Sequence, residues 1–379
     1  MQPQERRKPG EVRDAVLATL RANPEGASIR EIAVHVRTML GAEVADSSIR
    51  SYLRLNTPVT IRRLDRGLYQ LAAFPARNGS PAVAPGRFPK AVHGNATIVH
   101  ADCLEWLRQR PSQSVHAVVT DPPYGLIEYS AKEQSKLRAG KGGVWRIPPS
   151  FDGAQRSPVP RFTVLSPTDR DDLAEFFAAW ASLLATVLVP GANVVVATNP
   201  LLSYIVAGAL AQAGLERRGE IVRLVTTMRG GDRPKGAHEE FVEVSVMPRS
   251  MWEPWLVFRK PLEGRVQDNL RRWRTGGFRR PSAKHPFGDV IRSAPTRKEE
   301  KGMAPHPSLK PQDFLRQVVR GVLPLGEGVV LDPFCGAGST LAAGNAVGYE
   351  SIGIEKDAEY YEMAKTAIPL LAAYRRSKG

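Results

Sequence analysis

The first seventy residues alternate in a helical rhythm. Val12, Val16, Leu17 and Leu20 share one helical face, and Asn23-Pro24 ends that segment. Ser28 is placed to cap a second helix, "IREIAVHVRTML", and Asp46 or Ser47 a third, "SIRSYLRLN". "TIRRLDRGLYQLA" then reads as two short strands around Asp65-Arg66-Gly67. From about residue 92 the rhythm changes. Buried-strand runs ("ATIVHAD", "SVHAVVTD", "GANVVVATNP", "GVVLDPF", "ESIGIEKD") alternate with helical ones ("CLEWLRQR", "LAEFFAAWASLLATVL", "LLSYIVAGALAQAG", "GSTLAAGNAVG"). That alternation predicts an α/β fold with a mostly parallel sheet and helices on both faces.

Two kinds of segment break the pattern. Residues 75–91, rich in Pro, Gly and Ala, read as a linker between residues 1–74 and a larger domain, 92–379. Residues 131–153 and about 221–300 are irregular, rich in Gly, Pro, Arg and aromatics, and long loops of this kind usually carry function or are disordered. Three helices and a β-hairpin in residues 1–74 resemble a winged helix, whose third helix can enter a major groove. Arg50 and Arg54 lie four apart on that helix, and Arg62, Arg63 and Arg66 decorate the hairpin. A protein-docking winged helix with a solvated arginine face is the alternative.

Charge sharpens the picture. Among 379 residues, 53 Lys+Arg stand against 38 Asp+Glu, a net charge of +15. Such an excess favours a polyanionic partner, with solubility alone as the bland alternative. Only two cysteines occur, Cys103 and Cys335, too few for a disulfide framework or a zinc site, which fits a reducing cytosol. The first ten residues lack a signal peptide's apolar run, and no stretch reaches the roughly 18 apolar residues of a membrane span, so the chain is expected to be cytoplasmic. His93, His100, His116 and His238 have no partners at metal-ligand spacing, so no metal is predicted.

Two motifs carry chemistry. "VVLDPFCGAGSTLAAG" is a strand, a glycine turn and a helix start, in which Gly336 and Gly338 let backbone approach a ligand and free N–H groups face an anionic group. About twenty residues later a strand ends in Glu355, an acceptor for ribose hydroxyls, but position 341, where a dinucleotide fingerprint has its third glycine, holds leucine. The second motif is Asp121-Pro122-Pro123-Tyr124, at the end of an apolar strand. An exocyclic amine of adenine or cytosine is a poor nucleophile because its lone pair is delocalised into the ring. A carboxylate and a proline-stiffened carbonyl can hold its two N–H bonds so that the lone pair points at a methyl donor. Tyr124 can stack on a base rotated out of the helix, and the acceptors offset the positive charge building on nitrogen.

With these motifs the chain resembles the amino DNA methyltransferases over roughly residues 92–370. "DPPY" at 121–124 is similar to their catalytic motif and "DPFCGAGST" at 332–340 to their cofactor motif. "HADCLEWL" is similar to the segment whose acid, here Asp102 beside Cys103, contacts the cofactor adenine. "HPSLKP", with His306, Ser308 and Lys310, is similar to the segment cradling its methionine end. Ala101 stands where the family usually has glycine. The resemblance implies a Rossmann-like fold, S-adenosyl-L-methionine as cofactor, and cofactor contacts from Asp332, Phe334, Gly336, Gly338, Ser339, Thr340 and Glu355. Having the catalytic motif first and the cofactor motif last is similar to the family's β arrangement, which implies target recognition in the basic region 221–300. There the candidates for DNA contact are Arg229, Arg233, Lys235, Arg271, Arg272, Arg274, Arg279 and Arg280, beside Arg50 and Arg54. Trp273 and Phe278 are expected as core more than as wedges. The implied partners are double-stranded DNA, a cognate restriction endonuclease and a second copy of the chain. Asp in the catalytic motif is commoner among adenine enzymes of the family, so adenine N6 is favoured over cytosine N4. RNA amine methylation and a silent DNA-binding regulator stay as alternatives. Neither cysteine lies where carbon-5 methylation needs its thiolate.

Overall fold

A computed structural model describes residues 11–41, 44–55, 61–65, 67–71, 88–123, 150–151, 154–155, 167–229, 234, 236–237, 239–246, 248 and 250–375. The chain divides into two compact units, Met1–Val83 and Ala84–Gly379.

In the first unit, α1 (Glu11–Ala22), α2 (Ile29–Leu40) and α3 (Asp46–Leu55) accompany three short strands, β1 (Ala27–Ser28), β2 (Ile61–Asp65) and β3 (Leu68–Leu71). β3 pairs antiparallel with both others. Ser28 caps α2 in a full capping box with Glu31, and Gly41 closes the helix in the left-handed region. Val16, Leu20, Ile32, Val36, Ile49, Leu53 and Ile61 form the core and Val12 packs against it, while Leu17, expected on the same face, is half-buried outside it. Asp46 opens α3 from within its first turn and pairs with Arg37.

In the second unit the strands are β4 (Lys90–His93), β5 (Ala96–His100), β6 (Val115–Thr120), a small ladder of β7 (Ser150–Phe151) with β8 (Ala154–Gln155), β9 (Leu188–Ala197), β10 (Glu216–Arg229), β11 (Ser250–Arg259), β12 (Val290–Ser293), β13 (Val329–Asp332) and β14 (Glu350–Glu355). The helices are α4 (Cys103–Gln109), α5 (Pro167–Val187), α6 (Ser203–Gln212), α7 (Val266–Trp273), α8 (Lys298–Met303), α9 (Gln312–Val322), α10 (Ser339–Val347) and α11 (Ala358–Ala373). Nine strands form one sheet in the order β12-β10-β11-β9-β6-β13-β14-β5-β4. β11 runs antiparallel to both its neighbours, as does β4 to β5, and the other pairs are parallel.

Strand residues alternate between two cores. Val118, Val194, Val196 and Leu331 face Phe177, Trp180 and Leu184 of α5. Val119, Val195, Ala197 and Val330 face Phe314, Leu315 and Val318 of α9. Burial on both faces makes these strands near-continuous apolar runs. From β6 the chain crosses over to β9 on one side, and from β13 to β14 on the other. The boundary between β6 and β13 is therefore a topological switch point, where α/β sheets leave a crevice at the carboxyl ends of their strands.

Two expectations change. The segment read as linker through residue 91 already contains β4, whose Lys90 pairs with Val99. The span 221–300, expected to be irregular, contains most of β10 and all of β11 and β12. Charged residues interrupt their apolar pattern: Arg223 lies with Ile221 and Val225 on the buried side of β10. Among the described residues, no helix is long and apolar enough to cross a membrane.

Candidate active site

Two carboxylates meet at the switch point. β6 ends at Thr120, followed by Asp121, and β13 ends at Asp332. Thr120 Oγ1 donates to Asp332 Oδ1 at 2.6 Å, and the Phe334 N–H donates to the same oxygen at 3.2 Å. Burial pushes the Asp332 carboxyl up to about 6, against hydrogen bonds from Thr120 and Thr340 that pull it down. Pro122 is buried behind Asp121. Lys310 Nζ lies 2.6 Å from Asp121 Oδ2 and 3.3 Å from Glu253 Oε1. Arg223, the register partner of Glu253 across β10 and β11, donates from its NH1 nitrogen to Glu253 Oε2 at 2.8 Å. Arg223 is fixed in turn by Ser293 Oγ and the Ala294 carbonyl, and its guanidinium lies 5.5 Å from the ring centre of Phe314. Burial alone would drain charge from Lys310, but Asp121 and Glu253 together raise its pKa.

The glycine turn is packed by its own neighbours. Gly336 and Gly338 have φ of 50° and 79°. A Cβ on Gly336 would sit 2.9 Å from His306 Nε2, and one on Gly338 2.5 Å from Ile368 Cγ1. The requirement for glycine thus comes from a His306 ring and an α11 side chain, a reason the sequence did not supply. Gln312 at the start of α9 donates to the Ser339 carbonyl at 2.9 Å, tying the 306–311 segment to the turn. Ser308 is exposed, and its N–H donates to His306 Nδ1 at 3.2 Å. His306 packs edge-on against Tyr360, and burial, then Lys310, holds its imidazole down to about 4.

Beside Asp332, the carboxyl ends of β14 and β5 bring further acceptors. Glu355 accepts the Gly336 N–H at 2.8 Å and the Asp357 N–H at 2.7 Å. Asp102 caps α4 through the Leu104 and Glu105 N–H groups, and Lys356 Nζ lies 3.0 Å from its other oxygen. Asp332, Glu355 and Asp102 thus line three adjacent strand ends, about 4.8 Å apart. Phe334 packs among Phe176 and Trp180. The Cys103 and Cys335 thiols are buried, the first pushed up to about 12 and the second well above its ordinary value, so neither is a thiolate nucleophile.

The sequence-predicted residues fall into three groups. Asp121, Pro122, Pro123, Asp332, Phe334, Gly336, Gly338, Ser339, Thr340, Glu355, Asp102, Cys103, His306, Ser308 and Lys310 gather at this edge of the sheet. Within it Lys310 contacts Asp121, where the resemblance implied a cofactor contact. Tyr124, Arg233 and Lys235 lie outside the described residues, as do the side chains of Arg54 and Arg229. Arg50 is exposed on α3.

The third group lies apart from this edge. Arg271, Arg272, Arg274, Arg279 and Arg280 lie at the opposite, amino end of the strands. Arg274 grips Glu327, just before β13, through two 2.8 Å bonds. Arg279 donates to Tyr349 Oη, just before β14, at 2.6 Å, and the Arg280 carbonyl accepts from Arg320. Arg272 pairs with Glu263 and Arg271 with Asp268. At about 3.3 Å per residue, the strands hold this cluster on the order of 10 Å or more from Asp121. Arg274 and Arg279 tie this end of the fold together, while Arg271 and Arg272 hold only exposed ion pairs. Trp273 and Phe278 pack on the two cores. Glu253, Arg223 and Thr120 gave no sequence signal: only strand register brings the first two to the site.

A family model for DNA methylases of the N6/N4 type matches residues 115–366, which contain every strand of the switch point. The chain belongs to this family. It is a DNA methyltransferase of the N6-adenine/N4-cytosine class, and the Asp121–Pro123 corner and the glycine turn follow the neighbouring strands β6 and β13. It is 25% identical over 284 residues to the type II methyltransferase M2.LlaDCHI of Lactococcus lactis subsp. cremoris, covering 74% of this chain and 91% of that one. It is 23% identical over 294 residues to the type II methyltransferase M.HindIII of Haemophilus influenzae, covering 70% and 93%. Among solved structures, the M1.HpyAVI–SAM complex aligns with 72% of this methyltransferase and 98% of its own chain, at 19% identity and a TM-score of 0.45.

Proposed function

We propose that the enzyme methylates the exocyclic amine of a base turned out of duplex DNA, adenine N6, with S-adenosylmethionine as methyl donor. The observation that carries this reading is the Thr120–Asp332 hydrogen bond, which fixes the acceptor corner beside the glycine turn. The donor set fits an adenosyl group: Asp102 and Glu355 carry acceptors suited to an amine and to hydroxyls, and Phe334 and Pro122 supply apolar surface. S-adenosylmethionine supplies an electrophilic methyl on a sulfonium.

Asp121 and the Pro122 carbonyl accept the two N–H bonds of the base amine and turn its lone pair towards that methyl. Tyr124, on the family resemblance, stacks on the base. Eversion costs a few kcal/mol of stacking and pairing. Proximity and the fixed acceptors provide most of the acceleration. Asp in the motif supports adenine over cytosine. The three-helix unit bearing Arg50 acts as a winged helix on the flanking duplex.

Duplex DNA incubated with enzyme and donor, digested to nucleosides and analysed by mass spectrometry, tests this. N6-methyladenine is expected. N4-methylcytosine alone overturns the adenine assignment, and methyl found in RNA but not duplex DNA overturns the substrate.

A further inference from the structure

Asp121, Lys310, Glu253 and Arg223 form a row of alternating charge along the sheet edge, with links of 2.6, 3.3 and 2.8 Å. Their side chains are 14, 14, 10 and 2% exposed. Burying such a row is expensive, and apolar residues of similar volume would usually stabilise a fold at least as well. Stability alone therefore does not account for it. We infer that Lys310, Glu253 and Arg223 are positioning residues that hold Asp121 in place while keeping its surroundings electrically neutral, so that positive charge can arrive on the base nitrogen.

The inference rests on the methyl-transfer reading. In that reaction the nitrogen lone pair forms the new N–C bond, the S–C electron pair stays on sulfur, and the surplus proton leaves nitrogen for water. A unit of positive charge thus moves from sulfur to the atom Asp121 faces. Lys310 alone would cancel the Asp121 carboxylate just where that charge develops. Glu253 offsets Lys310, and Arg223, itself fixed by Ser293 and Ala294, holds Glu253 in place. Among the described residues, Asp332 and His306 are further titratable groups coupled to the row, through Asp121 and Lys310 respectively.

The test compares two ligands of the intact protein by calorimetry: cationic S-adenosylmethionine and its neutral demethylated product, S-adenosylhomocysteine. Glu253→Gln adds one net positive charge, so the ratio of dissociation constants, cation over neutral, should rise by about five-fold. Lys310→Met removes one, so the same ratio should fall by about as much, and the double variant should return near the wild-type ratio. A purely structural role would weaken both ligands together and leave the ratio alone. Should Glu253→Gln fail to fold, the fall with Lys310→Met carries the test by itself. Ratios within about two-fold of wild type, or both single variants moving the same way, overturn the inference and leave the methyl-transfer reading intact. A wild-type protein that binds neither ligand overturns that reading and this inference with it.

Discussion

Thr120 Oγ1 and Asp332 Oδ1 stand 2.6 Å apart, although 212 residues separate them in sequence. One closes the strand that presents the acceptor corner, and the other closes the strand that leads into the glycine turn. The ladder between β6 and β13, parallel neighbours at the switch point, sets the spacing between the two halves, and this hydroxyl bridges their ends. The same bond ties the ionisation of Asp332 to the corner, since its neighbour Asp121 also pushes the Asp332 carboxyl upward.

The ionisation of Asp332 opposes folding. Its carboxyl titrates near 6 in the fold, against an ordinary value of 3.8. The folded state therefore holds its proton more tightly, and stability falls as pH rises through that interval. His306 works in the other direction: held at about 4 against an ordinary 6.5, it costs nothing above pH 6.5 and destabilises progressively as pH falls towards 4. Asp332→Asn should melt above wild type at pH 8, with the difference closing near pH 4. His306→Asn should flatten the loss of Tm below pH 6.5. Parallel melting curves for variant and wild type across the range would contradict both.

Gly338→Ala should destabilise the second unit. Its φ of 79° is left-handed, and the added methyl would lie 2.5 Å from Ile368 Cγ1. The combined cost is on the order of 3 kcal/mol. Denaturant unfolding of the two proteins measures it, and Ile368→Ala in the same chain should recover part of the loss.

DNA affinity should not depend on the "RRWRTGGFRR" cluster. Replacing Arg271, Arg272 and Arg280 with glutamine should change the dissociation constant by less than about three-fold and leave the salt slope unaltered, because these groups stand at the far end of the sheet. Neutralising Arg229, Arg233 and Lys235 should lower that slope by about 0.9 for each phosphate no longer neutralised. Fluorescence anisotropy across a salt series reads both.

The sequence made the parallel core legible because its strands are buried on both sides and their apolar runs are unbroken. The Ser28–Glu31 capping box was legible because it is local. The acceptor corner and the glycine turn could be read because proline and glycine mark backbone that must bend. Arg223 and Glu253 were not legible. Both fall in the span expected to be irregular, and only the register between β10 and β11 makes them a buried pair. The setting of the arginine cluster was not legible for a like reason: the sequence shows its density of charge, while the pairing of Arg274 with Glu327, 53 residues away, emerges only in the fold.

The central claim is that Asp121 serves chemistry and not assembly. Single-turnover methyl transfer to duplex DNA by Asp121→Ala, measured beside donor binding by calorimetry and Tm, tests it most directly. The account predicts transfer reduced by about 1,000-fold or more, S-adenosylhomocysteine affinity close to wild type, S-adenosylmethionine affinity weakened by no more than about five-fold because Lys310 loses its partner, and a lowered but still cooperative melting transition. Transfer near the wild-type rate, or loss of donor binding together with transfer, would contradict it.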